Sequence, residues 1–253
     1  MATPNTDDDF YVGYLKMPRR LARAVGALVL LLIGLVALDL YVISLMQQRP
    51  GPGSWAETPV VLSGELSRDP YPILWTEESG RRVPYMLIAD TKRSAETFLA
   101  GVPSGPIALT GLVITRTDFP GLKMFEIGAN AVTEAGTLPA PMAPVQSEAL
   151  GEVALKGEIV DSKCWFGVMR PGEGRVHKGC ATVCIKGGIP PVFVTRTAEG
   201  KPTAYVMTGP DRQAIKPDEI KALVADPVSA TGILVRHNGL LYLETDISSL
   251  RKL

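Results

Sequence analysis

Residues Ala24 to Met46 read AVGALVLLLIGLVALDLYVISLM, and the only charged side chain among them is Asp39. At ~1.5 Å per residue such a run crosses the ~30 Å hydrocarbon core of a bilayer as a helix. Lys16, Arg19, Arg20 and Arg23 lie just before it, whereas the other flank offers only Arg49. The positive-inside rule therefore places the short N-terminal segment, 1–23, in the cytoplasm and everything after the helix on the other side. The apolar run exceeds the ~7–15 residues of a signal-peptide core, and SLMQQRPGPG supplies no small-x-small cleavage site, so an uncleaved anchor is expected. The paired arginines of PRRLAR read as juxtamembrane charge rather than a twin-arginine export signal.

A carboxylate inside a spanning helix costs on the order of 2.5–3.5 kcal/mol near the bilayer centre and less towards the surface. Asp39 either reaches the outer headgroups or meets a polar partner on another membrane subunit. Upstream, DDDFYVGYLKMPRR sets Phe10, Tyr11 and Tyr14 beside the basic cluster, as an interfacial segment or a docking peptide would. Residues 47–59 form a Pro/Gly linker.

Beyond the linker the chain is patterned for β structure. Over all 253 residues the formal net charge is zero, which gives no electrostatic reason to expect nucleic acid, and 25 Gly with 21 Pro favours short elements joined by turns. Four strand-like words appear twice in the same order. LSGEL at Leu62 returns as LKGEI at Leu155, and PYMLIAD at Pro84 as AYVMTGP at Ala204. ALTGLVITR at Ala108 returns as SATGILVRH at Ser229, and LKMFEI at Leu122 as LLYLET at Leu240. Short helical segments, KRSAETFLAG and KPDEIKALVAD, stand at matching places in the two copies. The reading is mainly β: two tandem OB-like small barrels, 60–135 and 152–253, with a linker at 136–151. The layout resembles that of membrane-anchored periplasmic haem chaperones, but no histidine stands where that family carries covalent haem, and no C-x-x-C-H sequence occurs.

The second copy is longer between its first two words, and the extra length is CWFGVMRPGEGRVHKGCATVCIKGGIPPVF. It holds all three cysteines. A barrel that closes without this segment in copy one does not need it to fold, so it serves a site or an interface. HKGCATVCIKGG predicts a short helix ended by Gly187 and Gly188, with His177, Cys180 and Cys184 on one face. Cys164, brought in by the Pro/Gly-rich loop, completes a set of three sulfurs and one imidazole that zinc accepts in tetrahedral sites; copper(I) or an iron–sulfur cluster also takes thiolates. A disulfide from Cys164 to Cys180 or Cys184, with one thiol left over, is the competing reading. Asp161 either accepts a hydrogen bond from a ligand or caps the turn, and Trp165 and Phe166 cover the site. His237, before an Asn-Gly turn, reads as a solvent-exposed turn residue.

The anchor preceded by FYVGYLKMP, together with GEIVDSKCWFGVMRPGEGRVHKGCATVCIKGGIPPV, resembles a group of bacterial membrane-anchored proteins that accompany membrane redox enzymes. The resemblance implies location and company: an inner-membrane anchor, periplasmic domains and redox-complex subunits as partners. The function expected is a non-catalytic accessory or assembly subunit with a Cys3His metal site. Two rivals remain, a metal-delivery protein and a thiol–disulfide redox protein in which Lys178 or a helix N-terminus favours the Cys180 thiolate.

Overall fold

The computed structural model describes residues 17–47, 52–119, 121–135, 145–167 and 169–253; Phe10, Tyr11, Tyr14, Lys16 and Arg49 lie outside them. The chain divides into two compact units, Met1–Pro50 and Gly51–Leu253. In the first, helix α1 (Arg19–Gln47) runs unbroken for 29 residues and includes the whole apolar run. Its side chains, Asp39 included, are exposed along nearly its full length, as expected of a surface made to meet lipid. Among the described residues it is the one helix long and apolar enough to cross a membrane.

The second unit contains two six-stranded sheets. The first comprises β1 (Gly53–Trp55), β2 (Val60–Ser67), β3 (Ile73–Glu78), β4 (Arg81–Ala89), β5 (Gly105–Arg116) and β6 (Lys123–Ala135), with helix α2 (Glu96–Leu99) between β4 and β5. Hydrogen bonding runs β2–β3–β4–β6–β5 and returns to β2, a closed five-stranded barrel, with β4 and β6 parallel. Strand β1, in the stretch read as linker, lengthens the sheet on β5. The second sheet comprises β7 (Ser147–Asp161), β8 (Pro191–Arg196), β9 (Pro202–Thr208), β10 (Pro227–His237), β11 (Leu240–Thr245) and β12 (Arg251–Lys252). Helices α3 (Ser162–Phe166) and α4 (Lys178–Lys186) lie between β7 and β8, and α5 (Pro217–Ile220) precedes β10. Here too the first and fourth strands pair, the third and fifth run parallel, and β10 pairs with β11.

Each repeated word of the sequence occupies the same strand position in its sheet, and in the two words that share a glycine it has the same cause. A Cβ on Gly64 or its counterpart Gly157 would stand 2.2 Å from the carbonyl oxygen of Trp75 or Val194. Gly111 and Gly232 likewise face Glu126 O and Glu244 O at 2.4 and 2.2 Å. Only hydrogen fits where strands bend this closely over their neighbours. The connection between the first and second strands separates the sheets: it spans 68–72 in one and 162–190 in the other.

Three apolar clusters hold the unit together. Leu66, Leu74, Leu87 and Phe125 lie inside the barrel, and Ile159, Phe193, Met207 and Leu243 form a second cluster on the other sheet. The third draws on both sheets, joining Tyr71, Ile73, Trp75 and Met124 to Val160, Trp165, Phe166 and Tyr242. Tyr71, from the β2–β3 connection, reaches across: its hydroxyl donates to Met207 O (2.9 Å) and accepts from the Ile215 N–H (3.1 Å). Helix α5 is shorter than the sequence pattern predicts. Ile220 and Val224 are buried and the Ala225 N–H donates to Ile159 O, so sheet pairing pulls the chain out of the helix after one turn.

Tyr71→Phe removes a hydroxyl that satisfies two buried backbone groups and is expected to cost about 1–3 kcal/mol. A lower urea midpoint at unchanged slope, followed by tryptophan fluorescence, is the expected result; an unchanged midpoint would show that the hydroxyl does not hold the joint.

Candidate metal centre

Strand β7 ends at Asp161, whose backbone is still extended while its Oδ1 accepts the Cys164 N–H at 2.9 Å. That side-chain cap starts α3, worth about 1 kcal/mol in a helix this short of internal bonds. Cys164 therefore stands on a helix, and the Pro/Gly-rich loop follows it rather than delivering it. The chain returns through a 3-10 turn, Arg175–His177, into α4. This return is fixed by Asp226, at the entry to β10: its carboxylate meets Arg175 Nε (3.0 Å), Lys178 Nζ (2.5 Å) and Lys252 Nζ (2.7 Å). Helix α4 closes at Gly187, and the Ile189 N–H donates to Cys184 O at 3.0 Å before Pro190 and Pro191 begin the next strand.

The three cysteines converge. One sulfur from each of Cys164, Cys180 and Cys184 lies within 4.8 Å of the others. Cys164 Sγ and Cys180 Sγ are 4.0 Å apart, and all three cysteines are unbridged. A disulfide needs ~2.05 Å, whereas tetrahedral thiolates at ~2.3 Å from zinc stand ~3.8 Å apart. His177 joins an overlapping group with Asp161 and Cys164, also within 4.8 Å. Its Nε2 is 3.0 Å from Asp161 Oδ2. Asp161 thus does both things its position allowed, capping α3 and holding the histidine. The result is a buried Cys/His/Asp cluster able to chelate a metal ion.

The electrostatics follow from burial and contact. The neighbouring Cys184 sulfur, and then burial, push the Cys164 thiol up, while the neighbouring Cys164 draws Cys184 down. The Asp161 carboxylate raises His177 above the usual imidazole value. Trp165 and Phe166 are buried against the cysteines, Phe119 packs edge-on to both rings, and the Arg116 guanidinium lies 3.9 Å over Trp165.

The first barrel completes the site. Lys92, between β4 and α2, donates from Nζ to Cys180 Sγ at 3.2 Å. Lys178, the cation expected at that sulfur, turns instead to Asp226 and Ala222 O. Beside Cys164, Lys163 inserts its ammonium into the barrel end, donating to Ala89 O (2.7 Å) and Thr91 O (3.0 Å) with Glu126 at 3.3 Å. The Ser94 N–H donates to Gly187 O at 2.8 Å, and a Cβ on Gly187 would stand 1.8 Å from Lys92 O. Segment 89–94 is wedged between the two cysteine-bearing helices. His237 is far from a simple solvent-exposed turn residue: its ring packs edge-on to Trp75 (5.6 Å) and Tyr242 (6.3 Å), with Arg212 Nη1 3.1 Å from Nδ1. Burial, then the charges of Arg212 and Arg82, holds it below the usual value.

The Lys178 and Lys252 ammonium groups hold the almost inaccessible Asp226 carboxyl far below the usual carboxylate range. Because its folded value is depressed, the stability it contributes is full above the unfolded value of ~3.9 and is lost as pH falls through the folded one. Asp226→Asn is therefore expected to lower the melting temperature at pH 7 and to lose that difference progressively below about pH 4. A difference independent of pH would point to packing alone.

Comparison of the chain with protein-family models, with curated proteins and with solved structures returns no match, so the function rests on the geometry of this centre.

Proposed function

We propose that this is a single-pass inner-membrane protein whose folded unit faces the periplasm and holds one soft metal ion on Cys164, Cys180, Cys184 and His177, as an accessory or assembly subunit of a membrane redox complex. The observation that carries the reading is the convergence of three unbridged sulfurs within 4.8 Å, two of them buried. His177 fits as fourth ligand because its Nε2 is engaged by Asp161, the pattern in which a ligating imidazole gives its other N–H to a carboxylate, and Nδ1 is left for the ion. Charge favours a divalent ion: three thiolates and a neutral imidazole around zinc leave one negative charge, which the Lys92 ammonium balances. When bound, zinc would tie α3, α4 and the turn before it together.

The anchor supports the location. Arg19, Arg20 and Arg23 crowd the start of α1, which supports a cytoplasmic side for that end. Its exposed Asp39 suits a polar contact with another membrane subunit. The common pairing order of the two sheets supports reading 60–135 and 152–253 as tandem OB-like domains, with the site carried on the connection that only the second elaborates. A second reading, metal delivery, is favoured by one observation: Cys180 is only partly buried.

Elemental analysis and thiol counting on the full chain, extracted in mild detergent, test the centre. About one equivalent of zinc is expected, falling at least tenfold in occupancy in Cys184→Ser; no metal, with three freely alkylated thiols or one disulfide, overturns the reading. Asp39→Leu is expected to reduce recovery of a co-purifying cytochrome or iron–sulfur subunit several-fold. Equal recovery would remove Asp39 from the contact.

A further inference from the structure

The three sulfurs are not equivalent towards solvent. Cys164 and Cys184 are 7 % and 1 % exposed, and Trp165, Phe166 and Ile189 cover them. Asp161 and His177 are buried behind. Among the described residues, Cys180 is the only partly exposed member of the cluster. It lies on the outer face of α4 and of the turn before it, four residues after Val176 and three before Val183, which are 84 % and 53 % exposed. One apolar stripe therefore borders this sulfur along the helix, and both flanking valines lack hydrogen-bonding side-chain atoms. Among the described residues, the Lys92 ammonium is the polar group that meets the sulfur from outside, and those that act on Lys92 electrostatically are Cys180, Cys184 and Cys164, with no carboxylate among them. Arg93 adds positive charge on the same segment, with Asp90 also exposed there, and the exposed Lys186 interacts with Asp218.

We infer that Cys180 is the exchangeable ligand of the centre, and that the mouth formed by Lys92, Val176 and Val183 admits a thiolate that itself carries further negative charge. The inference rests on the metal reading above. In the exchange, the incoming thiolate takes the position of Cys180 on the ion, the bond to Cys180 breaks, and the released Cys180 thiolate remains paired with the Lys92 ammonium. Charge is conserved and no electron moves. Lys92 acts twice, drawing the anion to the mouth and stabilising the sulfur that leaves. Deeply buried Cys164 and Cys184 keep hold of the ion meanwhile. A site meant only to brace the fold gains nothing from one exposed sulfur held by a surface ammonium, whereas a site that passes its ion to or from an anionic sulfur donor needs both.

The test measures zinc release from the full, zinc-loaded chain to a chromophoric chelator at low ionic strength. Two thiols are compared at equal thiolate concentration, glutathione with its extra negative charge and cysteamine with a positive one. Release with glutathione is expected to be faster by about fivefold or more for the difference in charge at the mouth. That preference should survive in Lys92→Arg, shrink towards unity in Lys92→Gln, and fade as salt is raised to ~0.5 M. In Cys180→Ser, release is expected to lose its dependence on thiol concentration. Equal rates for the two thiols, or a preference that Lys92→Gln leaves intact, overturn the inference while the bound zinc keeps the metal reading standing. Failure of the wild-type chain to hold zinc overturns the metal reading, and the exchange position with it.

Discussion

The whole site turns on one carboxylate. Asp161 is inaccessible to solvent and uses its two oxygens in different directions, one on the Cys164 N–H and the other on His177. A buried carboxylate is costly unless each lone pair finds a donor, and here the donors belong to the two arms of a single excursion from the sheet. The arm that leaves the strand and the arm that comes back are thereby held at a fixed separation. Convergence of the sulfurs follows from that constraint, because Cys164 is set by the first arm and Cys180 and Cys184 by the second.

Around this point the two sheets behave as halves of one scaffold. The Lys163 ammonium enters the barrel end while Tyr71 crosses in the opposite direction, so each sheet anchors a polar group in the other. The apolar cluster between them is as thoroughly buried as those within each sheet, and it includes Cys164 and Cys184. A loop elaborated on one sheet has become the packing surface for the other. That explains how a long excursion, with two short helices and little sheet pairing of its own, is held in one arrangement.

Much of this was legible in the sequence, for physical reasons. The length and uniform apolarity of Ala24–Met46 admit one solution in lipid, and the Gly-punctuated words of the strands reflect backbone collisions that recur wherever strands curl this tightly. The helix carrying Cys180 and Cys184 was legible from spacing, whereas His177 stands in the 3-10 turn before it, grouped with Asp161 and Cys164. Lys92 was not legible: it lies 88 residues from Cys180 in a segment without periodicity, and it reaches the sulfur only because the sheets dock. Asp226 was hidden for the same reason, its partners coming from two separate segments, 175–178 and the C-terminal strand. Helix α3, five residues long, falls below any periodic signal, and its cap gave the sole clue. His237 was misjudged because the turn that follows it is exposed while its ring packs against Trp75 from the other sheet.

Gly187 carries a last consequence. With Lys92 O occupying the place of its Cβ, the barrel and the end of α4 approach as closely as backbones can, and the Lys92 side chain leaves that same point for the sulfur. Cys180 and its cation are thus contributed by different sheets, and any free energy their contact gives to one is given equally to the other. A gain or loss of charge on the sulfurs is registered as a change in how firmly the sheets adhere.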